Sequence, residues 1–243
     1  MKRLIFAAAL LLGVAAAGAS AQNFNAQQQS EIRAVVRDYL VNNPDVLRDA
    51  LNALQARVDA QRRVKAETDP RDFSIGARNA PITMVEFFDY RCPYCQAALP
   101  SIVDLVRTRR DIRFVFKEMP LSIHGPPALE ASEASVAAMP QGHYWQFHQA
   151  LMSFRGDLSS ADINRLAAQS GIDVARMRRA MADQTTGPAI MKLINDNAGL
   201  AADLGAEGTP AFLINGQLVP GFAPDLISQK LREAGDEARL HPR

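Results

Sequence analysis

Cys92-Pro93-Tyr94-Cys95 sets two thiols three residues apart, and they are the only cysteines in the 243-residue chain. They follow the apolar run that ends Glu86-Phe87-Phe88. A C-x-x-C pair where a strand gives way to a helix is a redox centre, in which one thiolate attacks and the other resolves. With no third or fourth cysteine, the pair cannot join a larger disulfide framework or a four-cysteine zinc site. Cys92 falls at a helix start, where unpaired N–H groups and the dipole favour a thiolate. Arg91 adds a positive charge beside it. Cys95, one turn further in, is the resolving thiol, and the chemistry is thiol–disulfide exchange through a mixed disulfide on Cys92. The bland reading, an inert disulfide, has little to recommend it, because closing so short a loop removes little chain entropy.

Other residues could serve that chemistry. Glu86 sits within an apolar strand, six residues before Cys92. A buried acid is costly without a partner or a task. It is either an acid at the sulfur site or an edge-of-core acid paired with Lys117. Lys117 and Glu118 end the second strand, near enough to be considered, but are not assigned to the site. Thr209-Pro210, after Gly208 and before a strand, is either a cis turn or an ordinary trans loop. His124, His143, His148 and His241 form no metal constellation, since a spacing of five puts His143 and His148 on different helix faces. No metal site is expected from them. Two thiols alone would suit copper(I), a soft ion. Tyr144, Trp145, Phe147 and Phe154 read as core or as groove lining for an unfolded substrate.

The elements that must position the thiols follow from periodicity. Ile82 to Phe88 and Ile112 to Phe116 read as strands around a helix from Cys92 to about Arg107, a parallel unit with a right-handed crossover. Helical patterns then run through about 125–205, with Ser159 or Ser160 as one cap. Ala211 to Ile214 and Gln217 to Val219 flank Asn215-Gly216, a strong hairpin signal. A helix from Asp225 to about Ala234 closes the chain.

Ahead of this lies a different piece. Ile32, Val35, Val36, Tyr39 and Leu40 mark one helix face, and Leu47, Leu51, Leu54 and Val58 a second, narrow stripe. Asn43-Pro44-Asp45 separates them as cap, first helical position and dipole partner. Two such short helices cannot bury themselves alone. They dock on the main domain or on copies of themselves. The division read from sequence is a signal peptide over 1–21, a helical segment over 22–66, a linker over 67–80 and the main domain over 81–243.

Composition bounds the setting. Lys2 and Arg3 precede an apolar stretch from Leu4 to Ala17, and Ala19-Ser20-Ala21 offers a small-x-small cleavage site. This reads as a secretory signal peptide cleaved after Ala21, in preference to an uncleaved anchor. The product would work in an oxidising compartment, where disulfides persist. Loss of Lys2 and Arg3 takes the formal charge from +1 to −1, which excludes the basic excess of a nucleic-acid binder.

The order β-α-β, helices, β-β-α, with Cys92-Pro93-Tyr94-Cys95 after Glu86-Phe87-Phe88 and with Thr209-Pro210 before a hairpin, resembles the DsbA-like thiol–disulfide oxidoreductases. The helices before it resemble the ScsC-related subgroup. The resemblance implies an α/β, thioredoxin-like fold with an all-helical insertion, preceded by the N-terminal helical segment. It also implies a periplasmic protein disulfide oxidoreductase with no cofactor beyond the Cys92–Cys95 disulfide. Unfolded or misoxidised secreted proteins and a membrane redox partner would be its partners, and residues 30–63 could make it oligomeric. Glu86 would lie beneath Cys95 and move its proton, while Thr209 and Pro210 would offer backbone to the substrate. Strongly oxidising relatives carry histidine where Tyr94 stands, so Arg91, Pro93 and Tyr94 are expected to tune a milder oxidant unless Tyr94 is a plain surface residue. Threonine before the proline resembles isomerase and reductase members. These features favour a disulfide isomerase or reductase over a monomeric oxidase. A copper(I)-binding thiol protein and a non-catalytic chaperone are the other readings.

Overall fold

The computed structural model describes residues 24–240. The expected signal peptide and His241 lie outside them. Packing divides the chain between Ala53 and Leu54.

In the first unit, α1 (Ala26–Asn42) begins with a reciprocal capping box between Asn25 and Gln28. Asn43 ends it, its N–H bonded to the Tyr39 carbonyl. Pro44 and Asp45 then open α2 (Pro44–Thr68) as expected, while the Asn43 side chain, expected to cap α2, donates back to the Tyr39 carbonyl at 2.8 Å. Val35, Tyr39 and Val41 on α1 and Leu51 on α2 are all more than half exposed.

The second unit is built on a five-stranded sheet. Its strands are β1 (Phe73–Ile75), β2 (Ile82–Phe88), β3 (Ile112–Glu118), β4 (Ala211–Ile214) and β5 (Gln217–Pro220), in the order β1-β3-β2-β4-β5. β2 and β3 are parallel, joined through α3 (Pro93–Thr108); the other pairings are antiparallel. β2 is buried along its whole length, which explains its unbroken apolar run. Between β3 and β4 come α4 (Pro126–Ala138), α5 (Tyr144–Ser153), α6 (Ser160–Gln169), α7 (Val174–Ala182) and α8 (Thr186–Asp203). Ser159 caps α6 with a second capping box. α9 (Pro224–Leu240) closes the chain.

The segment read as a linker is structured. α2 runs to Thr68 with Ala66 and Glu67 buried, and β1 pairs with β3 in the register Phe73–Phe116. Three residues are too few for a periodic signal. What holds β1 is long-range: Asp72 pairs with the buried Lys117 ammonium, and Asn197 on α8 bonds to both, at 3.1 and 3.2 Å. The sheet buries a layer on each face. Met84, Phe88, Phe114 and Phe116 share one layer with Cys92 and Cys95; Val85, Phe87 and Val115 belong to the other.

Candidate active site

Strand alternation aims Glu86 at the thiols. Glu86 pairs with Phe116, so its side chain shares the face of Met84 and Phe88, whereas Lys117 points to the opposite face. The Glu86–Lys117 pair is therefore excluded, and Lys117 serves Asp72 instead. No side chain hydrogen-bonds the Glu86 carboxyl among the described residues. Burial alone raises it to about 8.

Cys92 is the N-cap of α3, in extended geometry, with Pro93 in the first turn. Pro93 suits that position because its missing N–H would be unpaired there in any case. Both cysteines are free thiols, 3 % and 1 % exposed. Cys92 is lowered from its ordinary range to about 5, first by a hydrogen bond from the Cys95 thiol. The Thr209 side chain and the Cys95 and Tyr94 backbone N–H groups add to this, against the cost of burial. As a thiol, Cys92 donates to the Thr209 carbonyl at 3.1 Å. The buried Thr209 hydroxyl has no other partner, so it is free to donate to the thiolate. Cys95 is pushed strongly upward by burial, by its bond to Cys92 and by the Glu86 charge. The two sulfurs thus differ sharply, one ready to be a thiolate and one held as a thiol.

The remaining sequence candidates are distributed around this pair. The Thr209–Pro210 bond is cis. The Arg91 guanidinium donates to the His124 carbonyl at 2.9 Å, and its charge is not among the leading influences on Cys92. Tyr94 contributes its backbone N–H while its ring is 69 % exposed. Tyr144 and Phe147 are fully buried, so they form core and cannot line a groove.

Sequence reasoning missed a buried polar cluster beside the site. Glu118 Oε1 accepts from the Tyr90 and Tyr144 hydroxyls at 3.1 and 3.0 Å. Tyr90 also meets Ser135 at 2.8 Å and His148 Nδ1 at 3.2 Å. Burial raises Glu118 to about 8 and lowers His148 to about 3, so the imidazole is neutral. The only sequence hint was an acid ending an apolar strand.

The chain is similar to known proteins over most of its length. The family model described as Thioredoxin matches residues 68–229. The chain belongs to the thioredoxin family. A second model, described as the copper resistance protein ScsC N-terminal domain, matches residues 28–61, so the thioredoxin-like domain here follows an ScsC-type segment.

Similar solved structures agree with that assignment. A thioredoxin-like oxidoreductase from Silicibacter pomeroyi is 35 % identical, with a TM-score of 0.65 over 73 % of this chain and 97 % of that one. A linker-deletion variant of Proteus mirabilis ScsC is 28 % identical, with a TM-score of 0.64 over 90 % of this chain and all of that one. The thiol-disulfide exchange protein alpha-DsbA2 from Wolbachia pipientis is 25 % identical at a TM-score of 0.64, over 73 % of this chain and 97 % of that one. Among curated relatives, a protein named Na(+)/H(+) antiporter NhaA 3 from Salinispora tropica is 36 % identical over 72 % of this chain. The chain spans about a quarter of the length of that relative. Among the described residues no helix is long and apolar enough to cross a membrane. The protein has the ScsC- and DsbA-type thiol–disulfide oxidoreductase fold.

Proposed function

We propose that the protein is a periplasmic thiol–disulfide oxidoreductase that exchanges disulfides with secreted protein substrates, working as an isomerase or reductase. The observation that carries this is the split between the sulfurs: Cys92 lowered to about 5 at a helix start, and Cys95 held as a buried thiol above Glu86. The Cys92 thiolate attacks a substrate disulfide, forming the mixed disulfide and releasing one substrate thiolate. If a second substrate thiolate attacks the mixed disulfide, Cys92 leaves and the substrate disulfide is rearranged. If Cys95 attacks Cys92 instead, the Cys92–Cys95 bond forms, the substrate is reduced by two electrons, and the Cys95 proton passes to ionised Glu86. In the reverse direction, protonated Glu86 returns that proton to Cys95 as it leaves.

The periplasmic setting rests on the signal peptide read at 1–21 and on a similar Salmonella structure described as a periplasmic thioredoxin-like protein. The isomerase direction is supported by Thr209 and by the exposed apolar stripes of α1 and α2, which invite self-association through residues 30–63. Unfolded or misoxidised secreted proteins are the substrates, with a membrane reductant keeping Cys92 reduced and no cofactor beyond the cysteine pair.

The experiment is insulin reduction and reactivation of a scrambled-disulfide protein, run beside the redox state of Cys92 and Cys95 in cells. The reading expects a reduced pair, an oligomer, and activity in both assays that Cys92→Ser loses. A monomer found oxidised in cells would instead establish the disulfide-donating oxidase. The name of the matched N-terminal model, copper resistance protein, favours one second reading, copper(I) held by Cys92 and Cys95. Titration of the reduced protein with copper(I), against Cys92→Ser, separates it.

A further inference from the structure

Asp89 is a fully buried acid that the exchange chemistry does not use. Its carboxylate accepts three hydrogen bonds, each 2.7 Å. Oδ1 takes the Arg91 N–H, while Oδ2 takes the Leu121 N–H and His124 Nδ1. A carboxylate only accepts, so the imidazole donates from Nδ1. The first bond closes an Asx-turn. The Asp89 carbonyl closes a wider turn by accepting the Cys92 N–H at 3.1 Å. One residue therefore shapes the backbone that delivers Cys92 to the start of α3.

The other two bonds reach a different loop, the 3-10 turn Ser122–His124 that follows β3. Arg91 strengthens the link from its side, donating to the His124 carbonyl. Ile123 at the centre of this turn is 84 % exposed, and only Leu121 at its start packs against the apolar layer of Val85 and Phe87. Beyond Leu121 the described ties to the nucleophile turn are polar.

We infer that Asp89 and His124 form a positioning pair that locks the Leu121–Gly125 turn onto the Cys92 turn and so fixes Cys92 where Thr209, Tyr94 and Cys95 can stabilise its thiolate. The inference rests on Cys92 being the nucleophile. The donors that stabilise this thiolate are fixed in space, so its acidity depends on where the turn holds the sulfur. In Asp89→Asn an amide N–H group replaces one acceptor and faces a donor, so either the Arg91 link or the Leu121 and His124 links are broken. In His124→Ala the loop loses its side-chain tie, whereas His124→Asn puts an amide N–H where Nδ1 stands.

The test is the pH profile of iodoacetamide alkylation of Cys92 in the reduced, full-length mature protein, with folding followed by circular dichroism. Cys95 is held as a buried thiol and does not react in this range, so the native pair is kept and mass spectrometry confirms that Cys92 is the residue modified. The midpoint is expected to rise by about one unit in Asp89→Asn and in His124→Ala, and to return toward the parent in His124→Asn. Exchange with oxidised glutathione should slow about tenfold in the first two, in line with a displaced nucleophile. Folded variants with the parent midpoint would overturn the inference and leave the pair a purely structural tie. If Asp89→Asn does not fold, His124→Ala against His124→Asn decides. Alkylation needs no exchange activity. An inactive wild type would thus overturn the proposed function without touching this result.

Discussion

At the scale of single residues, the two cysteines ionise differently because their surroundings differ. Cys92→Ser should abolish exchange, while Cys95→Ala should accumulate the mixed disulfide with substrate, visible by mass spectrometry under non-reducing conditions. Alkylation of Cys92 in wild type should follow an ionisation near pH 5. Glu86 makes a stability prediction of definite sign. Its folded value, about 8, lies above the ordinary value of 4.5. Its buried neutral form therefore costs nothing extra below pH 4.5, and stability is lost as pH rises from there through 8. Glu86→Gln removes that loss. It should raise the melting temperature relative to wild type more at pH 8.5 than at pH 4.5, and an equal change at both would refute the raised value.

At the scale of elements, the three-residue strand β1 depends on contacts far away in sequence. Asp72 next to it holds the Lys117 ammonium, which is wholly buried. Removing one partner of a buried ion pair strands the other charge, at a cost of about 3–5 kcal/mol. Asp72→Ala should lose roughly that much in denaturant unfolding, whereas Asp72→Ala with Lys117→Met should recover much of it. Element boundaries were partly legible in advance. The cap of α6 and the opening of α2 at Pro44-Asp45 are local chemistry, as are the Asn215-Gly216 hairpin and the α3 start at Pro93. β1 was not legible, because nothing within residues 67–80 says that the chain pairs with β3.

At the scale of the whole molecule, the chain joins an exchange unit to a helical segment whose apolar residues are left exposed. Those residues need a partner, and another copy of the segment is the occupant we propose. Val35→Asp combined with Leu51→Asp should shift sedimentation from oligomer to monomer, and a wild type that already sediments as a monomer would rule the assembly out. A truncation for function should end at Ala53, since Ala66 and Glu67 are buried in the second unit. The chain starting at Leu54 should keep insulin reduction and the Cys92 alkylation midpoint. It should lose reactivation of scrambled disulfides, if that activity needs several active sites presented together.

The sequence by itself determined the place of Cys92 and Cys95 at a helix start, the strand that carries Glu86 and the order of nearly every helix and strand. These follow from local causes: residue type, spacing and capping. Only the tertiary structure decided which face each buried charge occupies. The register of β2 against β3 turns Glu86 toward the thiols and Lys117 away to Asp72. It also gathers Glu118, Tyr90, Tyr144 and His148 into one cluster and brings His124 to Asp89 across 35 residues. Burial then sets the ionisation of these groups, and burial is a property of packed layers that no single stretch of the chain contains.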